Sequence, residues 1–181
     1  MQDKNPFTLL SSKEIYKNPW MTVREDLVVR PGGKEGIFGV VDMLPGVSIV
    51  CLDADNNIIL VREYKYAIGR YSLECVSGGL DEDESVLEAA KREMLEEIGG
   101  VSDSWTDLGY IDSFTTVISS KNHIALAQNV SLEKTPHPDE GEVLEIVKMP
   151  FKSALEMVSK NEITHGASVA AILRTQLLLN Q

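Results

Sequence analysis

The chain has 181 residues, 43% of them hydrophobic and 25% charged, which suits one compact domain with a short accessory segment and argues against a disordered or fibrous chain. A formal net charge of -11 excludes a non-specific nucleic-acid backbone binder, since such proteins use Lys and Arg to displace counterions from phosphate. It leaves open a small phosphorylated ligand, because a divalent cation held by carboxylates reverses the local field.

The N-terminal stretch MQDKNPFTLL lacks a basic start followed by a long apolar run, and no segment approaches the length of a bilayer span, so the cytoplasm is the expected location. Residues 22–30 (TVREDLVVR) alternate polar and apolar side chains, Pro31-Gly32-Gly33 breaks the run, and 36–43 (GIFGVVDM) resumes it, which predicts an N-terminal hairpin. Residues 47–52 and 58–64 predict a second hairpin around the turn-favouring Asp53-Ala54-Asp55-Asn56-Asn57. Cys51 and Cys75 lie in apolar stretches, too far apart for a CxxC metal pair, and read as buried reduced thiols.

A short strand at 73–76 leads into a Gly- and acid-rich loop from Ser77 to Asp83, and Glu84 or Ser85 is placed to cap a helix running through residue 98 and ended by Gly99-Gly100. Further strands are predicted at 108–114, 122–130 and 142–149, and 151–160 and 166–179 carry helical apolar spacing. Strands outnumber helices and no internal repeat is present. The order predicts an α+β chain, an α/β/α sandwich around a mixed sheet.

The helix at 85–98 contains Arg92-Glu93-Met94-Leu95-Glu96-Glu97, in which Glu93, Glu96 and Glu97 stand at i, i+3 and i+4 and crowd one face. Arg92, four residues from both Glu88 and Glu96, is one neighbouring positive charge among several negative ones. A divalent cation would complete the neutralisation; a solvated acidic face is the bland alternative. Reading back from Arg92, Glu84 lies eight positions earlier and Gly78 six before that, giving Gly-x5-Glu-x7-Arg-Glu-Met-x-Glu-Glu-x-Gly.

This spacing resembles the Nudix box, a loop-helix-loop signature whose last aliphatic position is here taken by Gly100, a departure expected to loosen the loop after the helix. Flanking stretches resemble the ADP-ribose and nucleoside diphosphate sugar branch of that family: Asn18-Pro19-Trp20, Gly39-Val40-Val41-Asp42, the run Val61-Arg62-Glu63-Tyr64-Lys65, and Glu74-Cys75-Val76-Ser77-Gly78. The resemblance implies a Nudix α/β/α sandwich at 46–181 with a small, dimerising N-terminal β-sheet segment at 1–45. It also implies hydrolysis of a pyrophosphate bond with Mg2+, or alternatively Mn2+, bridging carboxylates to substrate phosphates.

By that resemblance, Glu93 and Glu97 are the metal ligands with Glu96 close behind, joined by the backbone carbonyl of Ser77. Arg92 orients the glutamates, and Glu84 ligates directly, ligates through water, or closes the loop on the helix. The proton acceptor is expected on the loop Pro138-Asp139-Glu140-Gly141-Glu142, with Glu140 first and Glu142 in reserve, against a plain acidic turn. Trp20 and Phe38 stack on the base or serve packing and dimer contacts. Lys65 stands where the branch often has an arginine near the phosphates or terminal sugar, and Glu74 receives a base or sugar hydroxyl or pairs with Lys65.

Among substrates, ADP-ribose leads other nucleoside diphosphate sugars such as GDP-mannose, although Ser113–Ser120 lacks the proline often found after the box in ADP-ribose enzymes. His123 is read as structural, and three histidines in the chain give no support to a His-based zinc site. The rival readings are a catalytically silent Nudix sensor of sugar nucleotides, a nucleoside triphosphate pyrophosphohydrolase, and an isomerase. Neither nucleic acid nor membrane is expected as a partner; a second copy of the chain is.

Overall fold

The computed structural model describes residues 4–138 and 143–180. In chain order these carry β1 (Thr8–Lys17), β2 (Met21–Val29), β3 (Glu35–Met43), β4 (Gly46–Leu52), β5 (Asn57–Lys65) and β6 (Arg70–Gly79), then helix α1 (Val86–Ile98). There follow β7 (Gly100–Val101), β8 (Ser104–Asp112), β9 (Ile118–Ser119), β10 (Lys121–Gln128), β11 (Ser131–Leu132) and β12 (Glu145–Pro150), and last α2 (Phe151–Ser159) and α3 (Gly166–Leu179). No described helix is long and apolar enough to cross a membrane.

The chain divides into two compact units, Met1–Leu44 with Asp112–Lys121, and Pro45–Ile111 with Asn122–Gln181. The first is a four-stranded sheet in the order β1-β2-β3-β9. Its β2–β3 hairpin forms as the alternation predicts, turning at Gly33 with φ 80°, a conformation that costs a residue with a Cβ but not glycine. Arg24 locks it by bonding Asp26 at 3.0 Å and Asp42 at 3.1 Å. The added strand β1 has no predicted counterpart, because all ten of its residues are exposed and leave no buried alternation to read. Its pairing with β2 supplies what side-chain burial does not.

The second unit is built on a six-stranded mixed sheet in the order β12-β5-β6-β4-β10-β8, with β4 and β10 parallel. On one face Val47, Ile49, Ile59, Val61, Val76 and Ala125 pack against Ala89, Ala90, Met94 and Ile98 of α1. On the other, Val50, Leu52, Leu60, Cys75, Ile124 and Leu126 pack with Phe151 and Ala154 of α2 and Ala171 and Ile172 of α3. Helices on both sides of a mixed sheet make the predicted α/β/α sandwich.

Three local features set the glutamate-bearing helix against the sheet. Strand β6 runs on to Gly79, so Ser77 and Gly78, expected in a loop, are ladder residues paired with Ser48 and Val47. The pairing of β4 with β6 stops at Ile49 and Val76, and beyond that split the Cys75 N–H donates to Ser168 Oγ of α3 at 2.8 Å. Of the two capping candidates Ser85 caps α1, in a reciprocal box with Glu88, while Glu84 is engaged elsewhere. Gly100 corrects an expectation: it is buried, and a Cβ there would come within 2.9 Å of Met94 Cγ and 3.1 Å of Ile98 Cδ1, so the segment after the helix is tight rather than loose.

Candidate active site

Helix α1 and the residue just before its cap turn the box carboxylates inward. Relative side-chain exposure is 14% for Glu84, 13% for Glu93 and 30% for Glu96, and Glu97 is buried at 9% as a whole residue. Burying carboxylates costs several kcal/mol unless they are paired, so this is not a solvated acidic face. Arg92 is the pairing group. Its Nε and Nη2 donate to the two Glu84 oxygens at 3.0 and 2.9 Å, its Nη1 donates to Glu93 at 2.7 Å and Glu96 at 3.1 Å, and its Nη2 also reaches the Gly79 carbonyl at 2.9 Å. These bonds hold the Glu84 carboxyl below the usual carboxylate range and the guanidinium well above its usual value.

On the strand side, the Ser77 N–H donates to Glu97 Oε2 at 3.3 Å. A Cβ built on Gly78 would lie 2.0 Å from Glu93 Cδ and Oε1, so the carboxylate occupies the space that any other residue would fill. Glycine here makes room for the Glu93 carboxylate through close approach rather than through a special backbone angle. Among the described residues no three carboxylates already converge as a ready-made cage, and Arg92 stands among the box glutamates as their cation.

The donor set nonetheless fits a hard divalent ion. It offers buried carboxylate oxygens of Glu93 and Glu97 against the strand end at Ser77 and Gly78, with Glu96 on the next turn. Gly78→Ala should push the flexible Glu93 carboxylate out of its place without breaking the ladder, lowering turnover about 100-fold, the scale of a misplaced metal ligand. Melting should shift by only a few degrees; a fully active alanine variant would separate Glu93 from the chemistry.

Lys65, at the end of β5, makes a close ion pair with Glu63 and lies 4.0 Å from Glu74 Oε2 on β6. Burial would lower its pKa, but the Glu63 hydrogen bond and the fields of Glu74, Glu63 and Glu97 together raise it above the ordinary lysine value. The ammonium thus feels a box glutamate. Glu74 pairs with Lys65 as one expectation had it, yet its nearer partner is His165 Nδ1 at 3.2 Å. Neither Glu63 nor His165 was a candidate from sequence, although Glu63 stands two residues from Lys65 on the same strand face, a spacing that could have found it.

Trp20 and Phe38 belong to the other unit and are not brought together. Trp20 is 70% exposed at the β1–β2 turn, where Asn18 Oδ1 accepts from its N–H at 2.9 Å. Phe38 pairs with Asp26, five residues along β2 from Met21, which is roughly 17 Å of strand. Its ring meets Phe7 edge-on at 5.5 Å and lies under Arg30 at 5.8 Å, so packing uses it. Glu140 and Glu142 lie outside the described residues. Upstream of them, His137 N–H donates to the Glu96 carbonyl at 2.8 Å, tying that segment to α1. His123 is part-buried beside Tyr110, and both cysteines are buried free thiols, with burial raising that of Cys75 to about 12.

A mixed sheet between helices, with an arginine-laced glutamate face against a strand-end glycine, has counterparts among known proteins. The NUDIX domain matches residues 43–171, and the chain belongs to the Nudix hydrolase family. Residues 7–41 match the nucleoside diphosphate sugar hydrolase N-terminal domain. The ADP compounds hydrolase NudE of Escherichia coli is 32% identical over 118 residues, 65% of this chain and 63% of that protein, so the match spans less than two thirds of that relative's length. An ADP-ribose pyrophosphatase of Mycobacterium tuberculosis is 27% identical over 173 residues, 94% of this chain and 83% of its own. A crystal structure of an ADP compounds hydrolase superposes with a TM-score of 0.86 at 27% identity, covering 99% of this chain and 97% of the other.

Proposed function

We propose that this chain hydrolyses the pyrophosphate bond of a nucleoside diphosphate sugar in a Mg2+-dependent reaction, with ADP-ribose the first substrate and AMP and ribose 5-phosphate the products. The observation that carries the reading is the Glu93 carboxylate seated in the space left by the missing Gly78 side chain, beside Glu97 at the Ser77 N–H. Similarity to ADP-ribose pyrophosphatase along nearly the whole chain supports the choice of substrate.

Glu93 and Glu97, with Glu96 and the Ser77 carbonyl, would hold the cation. When bound, it supplies Lewis-acid polarisation of phosphorus and acidification of the attacking water. Arg92 keeps the glutamates gathered, and Lys65 offers positive charge to the diphosphate. Water adds to phosphorus as the bridging P–O bond breaks, and Glu140 is the assigned acceptor of the water proton. Trp20, 70% exposed, is proposed as a residue that stacks on the base. The protein is assigned to the cytoplasm as a homodimer through its N-terminal sheet.

Incubation with Mg2+ or Mn2+ and a panel of ADP-ribose, GDP-mannose, other sugar nucleotides and nucleoside triphosphates tests this reading. The expected result is metal-dependent release of a nucleoside monophosphate from ADP-ribose ahead of the rest. Release of inorganic pyrophosphate from a triphosphate as the main reaction would replace it, and ligand binding without cleavage would leave a sensor.

A further inference from the structure

A second layer of the site, whose role rests on the sugar-nucleotide reading, lies where β6 splits from β4. Glu74 is 6% exposed, so its carboxylate needs donors inside the protein. Two are at hand, His165 Nδ1 at 3.2 Å and the Lys65 ammonium at 4.0 Å, both toward the same oxygen, Oε2. His165 sits at the entry to α3, and its Nδ1 also lies 2.9 Å from Ser168 Oγ, the fully buried hydroxyl that accepts the Cys75 N–H. The ring is thus held on a frame formed by the first turn of α3 and the open edge of β6.

Lys65 and Glu63 share the strand face of Ile59 and Val61, which pack on the side of the sheet covered by α1. We propose that His165 is a positioning residue for substrate phosphate: its Nδ1–H fixes the Glu74 carboxylate, and Glu74 with Glu63 holds the Lys65 ammonium on the box side of the sheet.

The tautomer is set by the partners. Ser168 Oγ carries its own proton, whereas a buried carboxylate can only accept, so the Nδ1 proton goes to Glu74. The charged groups acting on the ring are Glu74 from β6 and Lys65 from β5, with Arg70 bound to neighbouring Thr164 at 3.0 Å. Burial outweighs Glu74 and keeps the imidazole below its ordinary pKa, so a single ring proton is available near neutrality. Without that donor, Glu74 would compete with Glu63 for Lys65 and draw the ammonium inward.

Steady-state kinetics on ADP-ribose with Mg2+ tests the assignment through its coupling to Lys65. His165→Ala should raise KM about tenfold, the scale of one lost hydrogen bond to a charged group, with kcat within about twofold. His165→Asn, whose amide can take the place of Nδ1–H, should recover most of the loss, and His165→Gln should not. Added to Lys65→Ala, the alanine change should cost little more, because both act through one ammonium. If His165→Ala unfolds, the Asn and Gln pair reads the same donor in a folded protein. Equal loss in Asn and Gln, multiplication of the His165 and Lys65 effects, or an unchanged KM in His165→Ala would each overturn the inference while wild-type turnover stands. Failure of the wild type to cleave any sugar nucleotide would overturn the underlying activity, and this inference with it.

Discussion

Glu97→Gln should lower kcat on the order of a thousandfold while leaving the fold as stable as before, or slightly more so. The variant keeps the size of the side chain and an acceptor for the Ser77 N–H, but removes a charge that is buried beside the apolar layer under α1. Glutamine keeps the volume of the buried side chain, and the Lys65 ammonium that feels Glu97 keeps its pairs with Glu63 and Glu74, so the fold should change little and the melting temperature is the control. The loss in rate follows from the cation: several kcal/mol of charge stabilisation in the transition state depends on the ligand oxygens that hold it. Kinetics at saturating Mg2+ gives the answer, and a loss below about tenfold would move the metal to other ligands. Excess Mn2+ is expected to recover part of the rate if the defect is in metal holding.

Arg92→Ala carries the second large effect, and it appears in two measurements. Five hydrogen-bond contacts to Glu84, Glu93, Glu96 and the Gly79 carbonyl are lost together, leaving part-buried carboxylates to repel one another. Because the Arg92 side chain is 29% exposed, the cost should be about 2 kcal/mol, above an exposed ion pair and below a fully buried one. Turnover should fall about 10- to 100-fold, as for other residues that orient metal ligands, and Arg92→Lys should recover only a fraction because lysine lacks the two-pronged donor.

The pH dependence of stability has a definite sign. Glu84 is held below its ordinary pKa by Arg92, so its contribution is complete above the unfolded carboxylate value of about 4.3 and is lost as pH falls through the lower folded value. The urea midpoints of wild type and Arg92→Ala should therefore differ by a constant amount near neutrality and converge in acid. Curves that stay parallel down to the acid transition would show that the arginine does not act through Glu84.

The sequence made the box helix readable because its information is local. Ser85 and Glu88 stand three apart as a capping box, Gly99 closes the helix in a left-handed conformation, and the glutamates repeat at helical spacing. The core strands were readable for a similar reason, since Val47 to Leu52 and Ile58 to Val61 are continuously buried. What escaped was held by partners far along the chain. Strand β1 exists through its backbone ladder to β2, with no buried face of its own. Ser77 and Gly78 are strand residues because β4 lies alongside them, not because of their own preference.

His165 was invisible for the same cause, its partner Glu74 lying ninety-one positions earlier and meeting it only where the sheet splits. Gly100 shows the opposite error. Read alone, a glycine in place of an aliphatic residue suggests slack, but Met94 and Ile98 fill the space where its side chain would be.

The most direct measurement is anomalous diffraction from crystals grown with Mn2+ and a non-hydrolysable ADP-ribose analogue. A manganese peak within coordination distance of Glu93, Glu97 and the Ser77 carbonyl, bridged to the analogue's phosphates, is the predicted outcome. Analogue bound with no manganese at Glu93, Glu97 and the Ser77 carbonyl would contradict the account.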